Sequence, residues 1–488
     1  MKKFLISFLL TCSCALTLAA VGCNKNKKPS NSVDSTPPTS SNSGSEQPPD
    51  APTSTITFTE GEGYSFVSEI ENGGSVVTGS DLYFTVELGA FYTGSPVVYV
   101  NDTPVVSQGN HLYRIRVTQD LTIRAEGVYK ETSNMDGMGT FDNAYIVSRP
   151  VDLLYIAQQV NAGNRAYTHA YYILANDIDC KGEELEVIGD NRIESAVFSG
   201  CFSVDYDPDT GERYDYTISN FTINANNANG VGLFGTVIVD MSTTSSGLIY
   251  GIQLDNFHIS ARMTDPADGE NRSLFVGGLV GYAIGANVQL CKATNGVVDV
   301  YADDSYFAFA GGLIGYQQAF YSAEYGLPYA SEVAYSVSDV DVRVLDGVAL
   351  YAGGISGYLG TNYPLGSTAF VHHSYATGTV SGALRTGSIV GGLGRYSSVS
   401  YAYSTGDVIA KCNAYVSDSL MNSDEYYVAM AGGLVGYAEN DTIVNDSFSV
   451  GKVSAYAASG KAYEKTGAFV AFGDEEDFAE ANAEKYVV

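Results

Sequence analysis

The sequence has no tryptophan, only five histidines and few basic residues for a chain of 488 residues. Lysine and arginine number 25 against 55 aspartates and glutamates, which gives a formal net charge of −30 at pH 7. A surface with this excess of negative charge repels nucleic acids and other polyanions, so these are excluded as partners. Neutral glycans, proteins and cations remain open as partners.

Cysteine is also scarce, and its spacing excludes a common kind of metal site. Of seven cysteines, four lie beyond the N-terminal segment: Cys180, Cys201, Cys291 and Cys412. They are far apart and form no CxxC pair, so no zinc site is indicated. The sequence favours small buried side chains at these positions and leaves a Cys180–Cys201 disulfide open.

The one long apolar run has the pattern of an export signal. Lys2 and Lys3 precede an apolar stretch over residues 4–21, which is short for a transmembrane helix. The stretch ends in AVGC, which resembles the lipobox of bacterial lipoproteins and implies removal of residues 1–22 and lipidation of the Cys23 thiol. An ordinary secretory signal is the alternative. The lipobox resemblance predicts a protein held by lipid at the extracellular face of a bacterial membrane.

Two segments follow the predicted anchor. Residues 23–55 are rich in Ser, Pro, Thr and Asn and poor in large apolar residues, which predicts a disordered tether. Residues 56–132 alternate apolar and polar positions between Gly-Gly, Asn-Asp and Gln-Gly-Asn turns. This alternation predicts a small antiparallel β-sandwich, similar to the immunoglobulin-like or β-repeat modules of bacterial surface proteins.

The pattern GGLVGY recurs along the second half of the chain. Its copies begin at Gly277, Gly311, Gly353, Gly391, Gly432 and Gly467 and read GGLVGY, GGLIGY, GGISGY, GGLGRY, GGLVGY and GAFVAF. They lie 34, 42, 38, 41 and 35 residues apart, intervals typical of solenoid repeats. The third position is expected to fill the interior, and the sixth to form a ladder of tyrosine rings. Arg395, at the fifth position of one copy, does not fit a buried face.

A second short motif follows each of the first five copies and ends in valine. These valines are Val298, Val340, Val380, Val408 and Val453. Two β-rich motifs per period, with turns and no helices between them, predict one coil of a parallel β-helix per repeat. Each coil is expected to pair with the next through main-chain hydrogen bonds at a spacing of about 4.8 Å.

Residues 140–472 resemble the GLUG-motif repeat family of bacterial surface proteins, both in the entry segment YYILANDIDC and in the glycine repeats. The predicted fold class is all-β: a small antiparallel β-sandwich followed by a right-handed parallel β-helix, or solenoid. A helix predicted over 151–161, with Leu154 on its inner face, would cap one end of the solenoid. The acidic residues 473–488 are predicted to form a tail or cap at the other end. Some family members are metallopeptidases, but the absence of an HExxH motif gives no basis for that activity here.

Tyrosine-rich insertions between the repeat motifs are the predicted binding sites. The candidates are Tyr321, Tyr325, Tyr329, Tyr363, Tyr415, Tyr426 and Tyr427. Tyrosine combines a flat apolar ring with a polar tip, which suits sugars and protein surfaces, and loops on a rigid scaffold often carry function. The alternative is that these rings cover the wall of the solenoid.

One acidic loop is a candidate Ca²⁺ site, and no other cofactor is predicted. In DYDPDTGERYD the possible oxygen ligands are Asp205, Asp207, Asp209 and Glu212. The glycine and the last acid of the loop do not fall at the EF-hand positions, so an acidic hairpin tip is the alternative. The pair His372–His373 is expected to diverge on a strand, with a surface or ladder role.

These patterns together predict a non-catalytic binding or adhesion protein whose ligand is a glycan or a protein. Two alternatives stay open. The first is a carbohydrate-active enzyme, a polysaccharide lyase or hydrolase, because other parallel β-helices carry such activities. The second is a purely structural protein of the cell envelope. The glycine motif itself has few titratable groups, so function is expected in the loops between its copies.

Overall fold

A computed structural model describes residues 51–189, 194–207, 209–239, 247–263, 273–302, 307–322, 324–346, 349–361, 368–412, 428–457 and 463–471. The signal segment with Cys23, nearly all of the tether and the acidic tail lie outside these ranges. Thr53–Val488 groups as one compact unit built mostly of strands. Among the described residues, no helix is long and apolar enough to cross a membrane.

Two sheets near the start of this unit share one hydrophobic cluster. Their strands are β1 Thr53–Phe58, β2 Tyr64–Ser68, β3 Ser75–Val77, β4 Asp81–Leu88, β5 Tyr92–Val100, β6 Thr103–Val105, β7 Leu112–Arg116 and β8 Leu121–Lys130. One sheet has the order β3-β1-β8-β5-β6 and the other β2-β4-β7. Ile56, Phe84 and Ile123 are among the buried residues between them. The pairing is antiparallel except for β1 and β8, which run parallel and so depart from the predicted all-antiparallel pattern.

A short helical segment follows the first of the remaining strands. This strand is β9 Tyr145–Val147, and the two helices after it are α1 Pro150–Asn161 and α2 Arg165–Thr168. The predicted helix is confirmed as α1, with Pro150 at its first position and the buried Asp152 carboxylate accepting the Arg149 backbone N–H at 3.1 Å. Leu153, Ile156 and Val160 join the hydrophobic cluster that continues into the coils, whereas Leu154 is only half-buried.

Thirty-three further strands complete the described chain, with one 3-10 turn at Glu194–Ala196. The first are β10 Tyr171–Leu174, β11 Ile178–Asp179, β12 Cys201–Val204, β13 Thr217–Asn226, β14 Gly230–Val231, β15 Phe234–Ile238, β16 Leu248–Tyr250, β17 Gln253–Met263, β18 Ser273–Gly277, β19 Val280–Ile284 and β20 Asn287–Gln289. Next come β21 Lys292–Ala302, β22 Phe307–Gly311, β23 Ile314–Ser322, β24 Leu327–Tyr329, β25 Ser331–Ala334, β26 Val337–Asp346, β27 Ala349–Gly353, β28 Ser356–Thr361, β29 Ala369–His372, β30 Tyr375–Ala376 and β31 Val380–Ser381. The last are β32 Arg385–Gly387, β33 Val390–Leu393, β34 Ser398–Ser400, β35 Tyr403–Ser404, β36 Val408–Cys412, β37 Val428–Gly432, β38 Val435–Ala438, β39 Ile443–Asn445, β40 Phe448–Ser449, β41 Val453–Ala457 and β42 Tyr463–Gly467.

The strands from β9 onward form four long sheets, and from β12 onward the chain visits these sheets in the same order in each coil. The first sheet has the order β39-β34-β29-β25-β20-β16-β12-β10-β9, and the second follows β11-β13-β17-β21-β26-β30-β35-β40 with β31, β36 and β41 beside it. The third is β14-β18-β22-β27-β32-β37-β42 and the fourth β15-β19-β23-β28-β33-β38. Neighbouring strands are parallel, apart from the antiparallel hairpin β23–β24. Long parallel sheets of this kind are consistent with a parallel β-helix.

The glycine motif stacks on itself from coil to coil, with one correction to the predicted register. Gly353 pairs with Gly387, and Gly387 pairs with Gly432. The copy in this coil therefore begins at Gly387 and reads GSIVGG, and the predicted start at Gly391 is wrong. The stretch GSIVGGLGRY contains two glycine-rich starts, and main-chain pairing selects the first. Arg395 thus lies outside the motif and is exposed.

The third position of the motif forms a continuous interior column, as predicted. Its members are Leu279, Leu313, Ile355, Ile389 and Leu434, each at most 1% exposed. The backbone N–H of each of the first four donates to the carbonyl of the next, at 2.9–3.0 Å. The corrected register places Ile389 in this column, whereas a motif that starts at Gly391 predicts Leu393 there.

The sixth position carries a ladder of tyrosine rings that is shorter than predicted. Tyr282 and Tyr316 stack with ring centroids 5.2 Å apart and nearly parallel planes, and Tyr358 follows at 5.4 Å. The next member is Gly392, which pairs with Tyr358 and interrupts the ladder. All three rings are half-buried. Burial raises the pKa of the Tyr316 phenol to about 12, as expected for a ring that packs rather than titrates.

The valine column of the second motif also has a corrected register. Val298 pairs with Val342, which pairs with Val380, whereas Val340 lies opposite Gly296. The pairing shifts between Ala293 and Gly296, so the strand after the shift is displaced from the letter pattern. The extra residue breaks the alternation of faces at Thr294 and Asn295, which both lie outside the core, and the alternation resumes at the buried Gly296.

Two glycines in each of the first five motif copies, at the first and fifth positions, are required by close backbone approach. A Cβ atom on Gly315 would overlap the backbone nitrogen of Val276 and the carbonyl oxygen of Gly281. A Cβ on Gly311 would overlap the carbonyl oxygen of Ile314. Because these atoms belong to the main chain, no side-chain rotation relieves the overlap. The motif is therefore a packing requirement of the coil.

Three of the four distant cysteines are free thiols: Cys180, Cys201 and Cys291. The disulfide left open between Cys180 and Cys201 is not formed in this structure. Burial raises the pKa of the Cys180 and Cys291 thiols to about 12 and that of Cys201 to about 11. Thiols with such pKa values carry little thiolate at neutral pH and behave as small apolar side chains.

Candidate binding surface

Between the first and second sheets, the chain turns through one residue of left-handed backbone in successive coils. These residues are Leu290, Tyr335, His373, Tyr401 and Asp446, with φ between 48° and 55°. The Tyr335 N–H donates to the His372 carbonyl at 3.2 Å, and the His373 N–H donates to the Ser400 carbonyl at 3.2 Å. The turn is thus stacked on its own copy in the next coil.

Buried serines hold these turns in place. The Ser336 hydroxyl donates to the Ala334 carbonyl at 2.9 Å and accepts the Cys291 N–H at 3.2 Å. The Ser374 hydroxyl donates to the His372 carbonyl at 2.8 Å and accepts the Ser336 N–H at 3.0 Å. Each hydroxyl therefore links two coils, and a buried network with all partners present fixes the geometry of the backbone above it.

Three of the turn residues carry rings that stack along the coil axis. The centroid of Tyr335 lies 4.8 Å from that of His373, which lies 4.7 Å from that of Tyr401. These distances match the spacing of about 4.8 Å between neighbouring strands. Tyr335 is 55% exposed and Tyr401 54% exposed, and His373 is exposed between them. The stack therefore presents a strip of ring edges, hydroxyls and one imidazole to solvent.

A second aromatic column starts two residues further along each coil. Tyr375 stacks on Tyr403 at 4.6 Å, and Tyr403 stacks on Phe448 at 5.3 Å, with ring planes within 9°. Phe448 is 53% exposed, and the two tyrosines are half-buried. We call the six residues Tyr335, His373, Tyr401, Tyr375, Tyr403 and Phe448 the aromatic corner.

Tyr335 and Tyr401 hold a left-handed backbone that tyrosine disfavours, whereas histidine, as at His373, adopts it more readily. A left-handed conformation costs an L-residue about 1 kcal/mol or more. A second left-handed column within the second sheet uses Asn220, Asn256 and Asn295, and asparagine tolerates this conformation best among non-glycine residues. Ring stacking of about 1 kcal/mol per pair offsets part of the cost at the corner. Because disfavoured backbone concentrates at functional sites, the corner is the leading candidate surface.

Sequence reasoning did not find the aromatic corner, although a signal is present. An aromatic residue or histidine, a small residue and a second aromatic residue occur as HSY at His373–Tyr375 and as YAY at Tyr401–Tyr403. Tyr335 begins the related triplet YSV. These triplets are shared only by neighbouring coils and are therefore a weaker signal than the glycine motif, which recurs along the second half of the chain.

His372 and His373 do not diverge as predicted. His373 Nδ1 lies 2.8 Å from His372 Nδ1, because the left-handed turn at His373 brings the two rings to the same side. His372 Nε2 lies 2.7 Å from Glu332 Oε1, and the Gln289 amide donates to the other oxygen of Glu332. The bond to His372 holds the pKa of the Glu332 carboxyl below its usual value. A line of hydrogen-bonded side chains thus runs from the Glu332 carboxylate through His372 to the exposed ring of His373.

The predicted tyrosine insertion at 321–329 forms the hairpin of β23 and β24. Tyr321 lies opposite Pro328, and Tyr329 opposite Phe320. Tyr325, in the turn, is 45% exposed, whereas Tyr321 and Tyr329 are half-buried. The remaining predicted tyrosines lie outside the described residues; they are Tyr363, Tyr415, Tyr426 and Tyr427.

The predicted calcium loop forms a hairpin tip whose carboxylates bond to their own backbone. Asp207 Oδ1 accepts the N–H groups of Thr210 and Asp209 at 3.0 and 2.8 Å, and these bonds lower the pKa of its carboxyl. Asp205 Oδ1 accepts the N–H of Tyr206 at 2.8 Å. In the described part of the chain, no group of three His, Cys, Asp or Glu side chains is placed to hold a metal ion. Calcium binding by Asp205, Asp207, Asp209 and Glu212 stays a prediction.

A cleft of about 530 Å³ lies between the end of α1 and β13. Its polar lining comprises Glu184, Glu186, Asn161, Asn224 and Asn226, and it contains no aromatic side chain. The Asn161 amide is fixed, because it donates to the Val187 carbonyl and accepts the Gly189 N–H. The cleft is large enough for a small ligand, but it lacks the ring surface that the aromatic corner offers.

Comparison of the chain with protein-family models found no match, and comparison with curated proteins found none. The resemblance to GLUG repeats therefore rests on the motif residues themselves. The class that the fold and the candidate surface define is a β-rich repeat protein with long parallel sheets and an exposed aromatic corner.

Proposed function

We propose that this protein is a non-catalytic surface lipoprotein that binds a neutral glycan through its aromatic corner. The observation that carries the proposal is the exposed stack of Tyr335, His373 and Tyr401, in which the buried Ser336 and Ser374 fix the turns at Tyr335 and His373. Rings held in advance of binding lose little entropy when a ligand arrives. Residues that pay a backbone cost at an exposed position are better explained by recognition than by folding stability.

A glycan fits this surface better than a protein partner does. The stack spans three coils, which is about 10 Å along the axis at the strand spacing of about 4.8 Å. That is the length of a few sugar units, whereas a stable protein interface buries about 800 Å² on each partner. The net charge of −30 disfavours acidic polysaccharides. Ring edges, hydroxyls and an imidazole provide both apolar contact and hydrogen bonds to sugar hydroxyls.

The proposed architecture displays this surface away from the membrane. Cys23 carries the lipid, residues 23–55 form the tether, and the two sheets of β1–β8 form a sandwich that serves as a spacer. The coils form a right-handed parallel β-helix, which α1 caps at its first end. Parallel pairing throughout the four sheets and burial of Leu153 and Ile156 against the coil cluster support this arrangement.

Loss of the exposed tyrosines is expected to abolish binding. In a glycan array probed with residues 53–488, the double variant Tyr335→Ala/Tyr401→Ala should bind at least about tenfold more weakly than the wild type, because it removes the two exposed tyrosine rings on either side of His373. Tyr129→Ala is the matched control, since Tyr129 is 62% exposed but lies in β8. A wild type that binds no glycan, or a double variant that binds as the wild type does, would contradict the proposal.

The same array distinguishes the other candidates. Selective capture of proteins by the wild type on a parallel protein array would replace the glycan by a protein ligand. The cleft favours a second function, a carbohydrate-active enzyme, because Glu184 and Glu186 place two carboxylates beside three amides. Release of sugar products from polysaccharides, lost in Glu184→Gln/Glu186→Gln but kept in Tyr335→Ala/Tyr401→Ala, would establish that function instead.

A further inference from the structure

The exposed imidazole of His373 is the last member of a hydrogen-bonded line. Glu332 and His372 bond at 2.7 Å, and the two histidines bond through their Nδ1 atoms at 2.8 Å. The side chains of Glu332 and His372 are only 19% and 20% exposed, and Phe370 stacks on the His372 ring at 5.5 Å. His373 itself is stacked between two tyrosines, so its plane is fixed as well.

The line dictates where the hydrogens lie when both histidines are neutral. An ionised carboxylate only accepts hydrogen bonds, so Nε2 of His372 carries a hydrogen and its Nδ1 carries a lone pair. The hydrogen between the two rings therefore belongs to Nδ1 of His373. The other nitrogen of His373, Nε2, is left as a lone-pair acceptor on an exposed ring.

We propose that His373 determines the specificity of the aromatic corner by presenting an unprotonated Nε2 to a hydroxyl donor of the bound glycan. The inference rests on the proposed function and adds the chemistry that the ligand must supply. Glu332 and His372 are positioning residues, since they fix the tautomer of His373 and touch no ligand. A free neutral imidazole favours hydrogen on Nε2, so without them the acceptor would become a donor.

Acidification is expected to reverse the hydrogen-bond character of this site. Protonation of the His373 imidazole places a hydrogen on both of its ring nitrogens, so Nε2 becomes a donor. The charged and titratable groups in contact with the pair are Glu332 from β25 and Tyr335 and Tyr401 from the neighbouring turns. Burial, and then the nearby His372, lower the pKa of His373, so its neutral form persists to lower pH than in a free histidine.

The tautomer can be measured directly by ¹⁵N NMR of the full-length protein labelled at its five histidines. At pH 7.5, His373 should carry its hydrogen on Nδ1. The variant His372→Phe, which keeps the stacking on Phe370, should move that hydrogen to Nε2, and Glu332→Ala should shift it in the same direction. His258→Gln is the control, because His258 bonds Asp299 in another part of the second sheet. Hydrogen on Nε2 in the wild type, or no change in His372→Phe, would overturn the inference.

A second experiment, which measures glycan binding, separates this inference from the proposed function. His373→Phe keeps a ring in the stack but removes the acceptor, so array glycans that need the tyrosines should bind at least about tenfold more weakly to it. Unchanged binding by His373→Phe would overturn the specificity role and leave the function of the corner intact. A wild type without any glycan ligand would overturn the function and the specificity role together, whatever the tautomer.

Discussion

Gly315→Ala is expected to destabilise the protein by about 3 kcal/mol or more, because one added methyl group has no space. The new Cβ would overlap the backbone nitrogen of Val276 and the carbonyl oxygen of Gly281. Relief requires that two coils separate, which weakens the parallel pairing of β22 with β18 and of β23 with β19. The measurement is the midpoint of urea unfolding for residues 53–488.

Gly182→Ala is the matched control for this variant. Gly182 has a φ of +83° and no atom within 4 Å of an added Cβ, so its substitution reports backbone strain alone. Strain of that kind costs about 1 kcal/mol. Gly315 itself has no left-handed backbone, so a loss in Gly315→Ala no larger than that in Gly182→Ala would show that the coils accommodate the added methyl group. That result would contradict the packing explanation of the glycine motif.

Leu313→Ala is expected to cost about 3 kcal/mol through a cavity in the interior column. Leu313 is fully buried, and its neighbours in the column are Leu279 and Ile355. Coils above and below hold the backbone in place, so the surroundings cannot collapse into the space. Unfolding by urea, monitored by circular dichroism, measures the loss.

Leu327→Ala provides the same chemical change in a different environment. Leu327 lies in β24 of the hairpin and is 46% exposed, so its truncation should change the free energy of unfolding by about 0.5 kcal/mol or less. A similar loss in both variants would mean that the hairpin is as important to the fold as the column. Such a result would also contradict the prediction that the tyrosine-rich insertions are separate from the rigid scaffold that carries them.

The repeating part of the fold could be predicted from the sequence because stacked positions recur at coil intervals. Parallel pairing and the leucine column followed from that repetition, whereas α1 followed from the helical spacing of the apolar residues Val151, Leu154, Ala157 and Val160. The register failed at Gly391 and Val340, since the letters there allow two alignments and only the main-chain bonds choose between them. A bulge or a second pair of glycines hardly changes the composition of a repeat, so the sequence alone does not reveal the shift in register.

The candidate surface could not be predicted in the same way. It depends on a left-handed turn in each coil, and nothing in the letters Tyr335-Ser336 or His373-Ser374 distinguishes a turn from a continuing strand. Alternation along a strand placed the two histidines on opposite faces, whereas the turn brings them within hydrogen-bonding distance. Of the predicted tyrosine loops, only the hairpin lies within the described residues, where Tyr325 remains a candidate.

Oxidative footprinting of residues 53–488, with and without a glycan selected from the array, tests the central claim most directly. Hydroxyl radicals modify exposed aromatic side chains, so a bound ligand lowers the oxidation of the rings that it covers. We expect protection of Tyr335 and Tyr401, with Tyr129 oxidised equally in both samples. Protection confined to Tyr325 of the hairpin, or to residues lining the cleft, would show that the aromatic corner is not the binding surface.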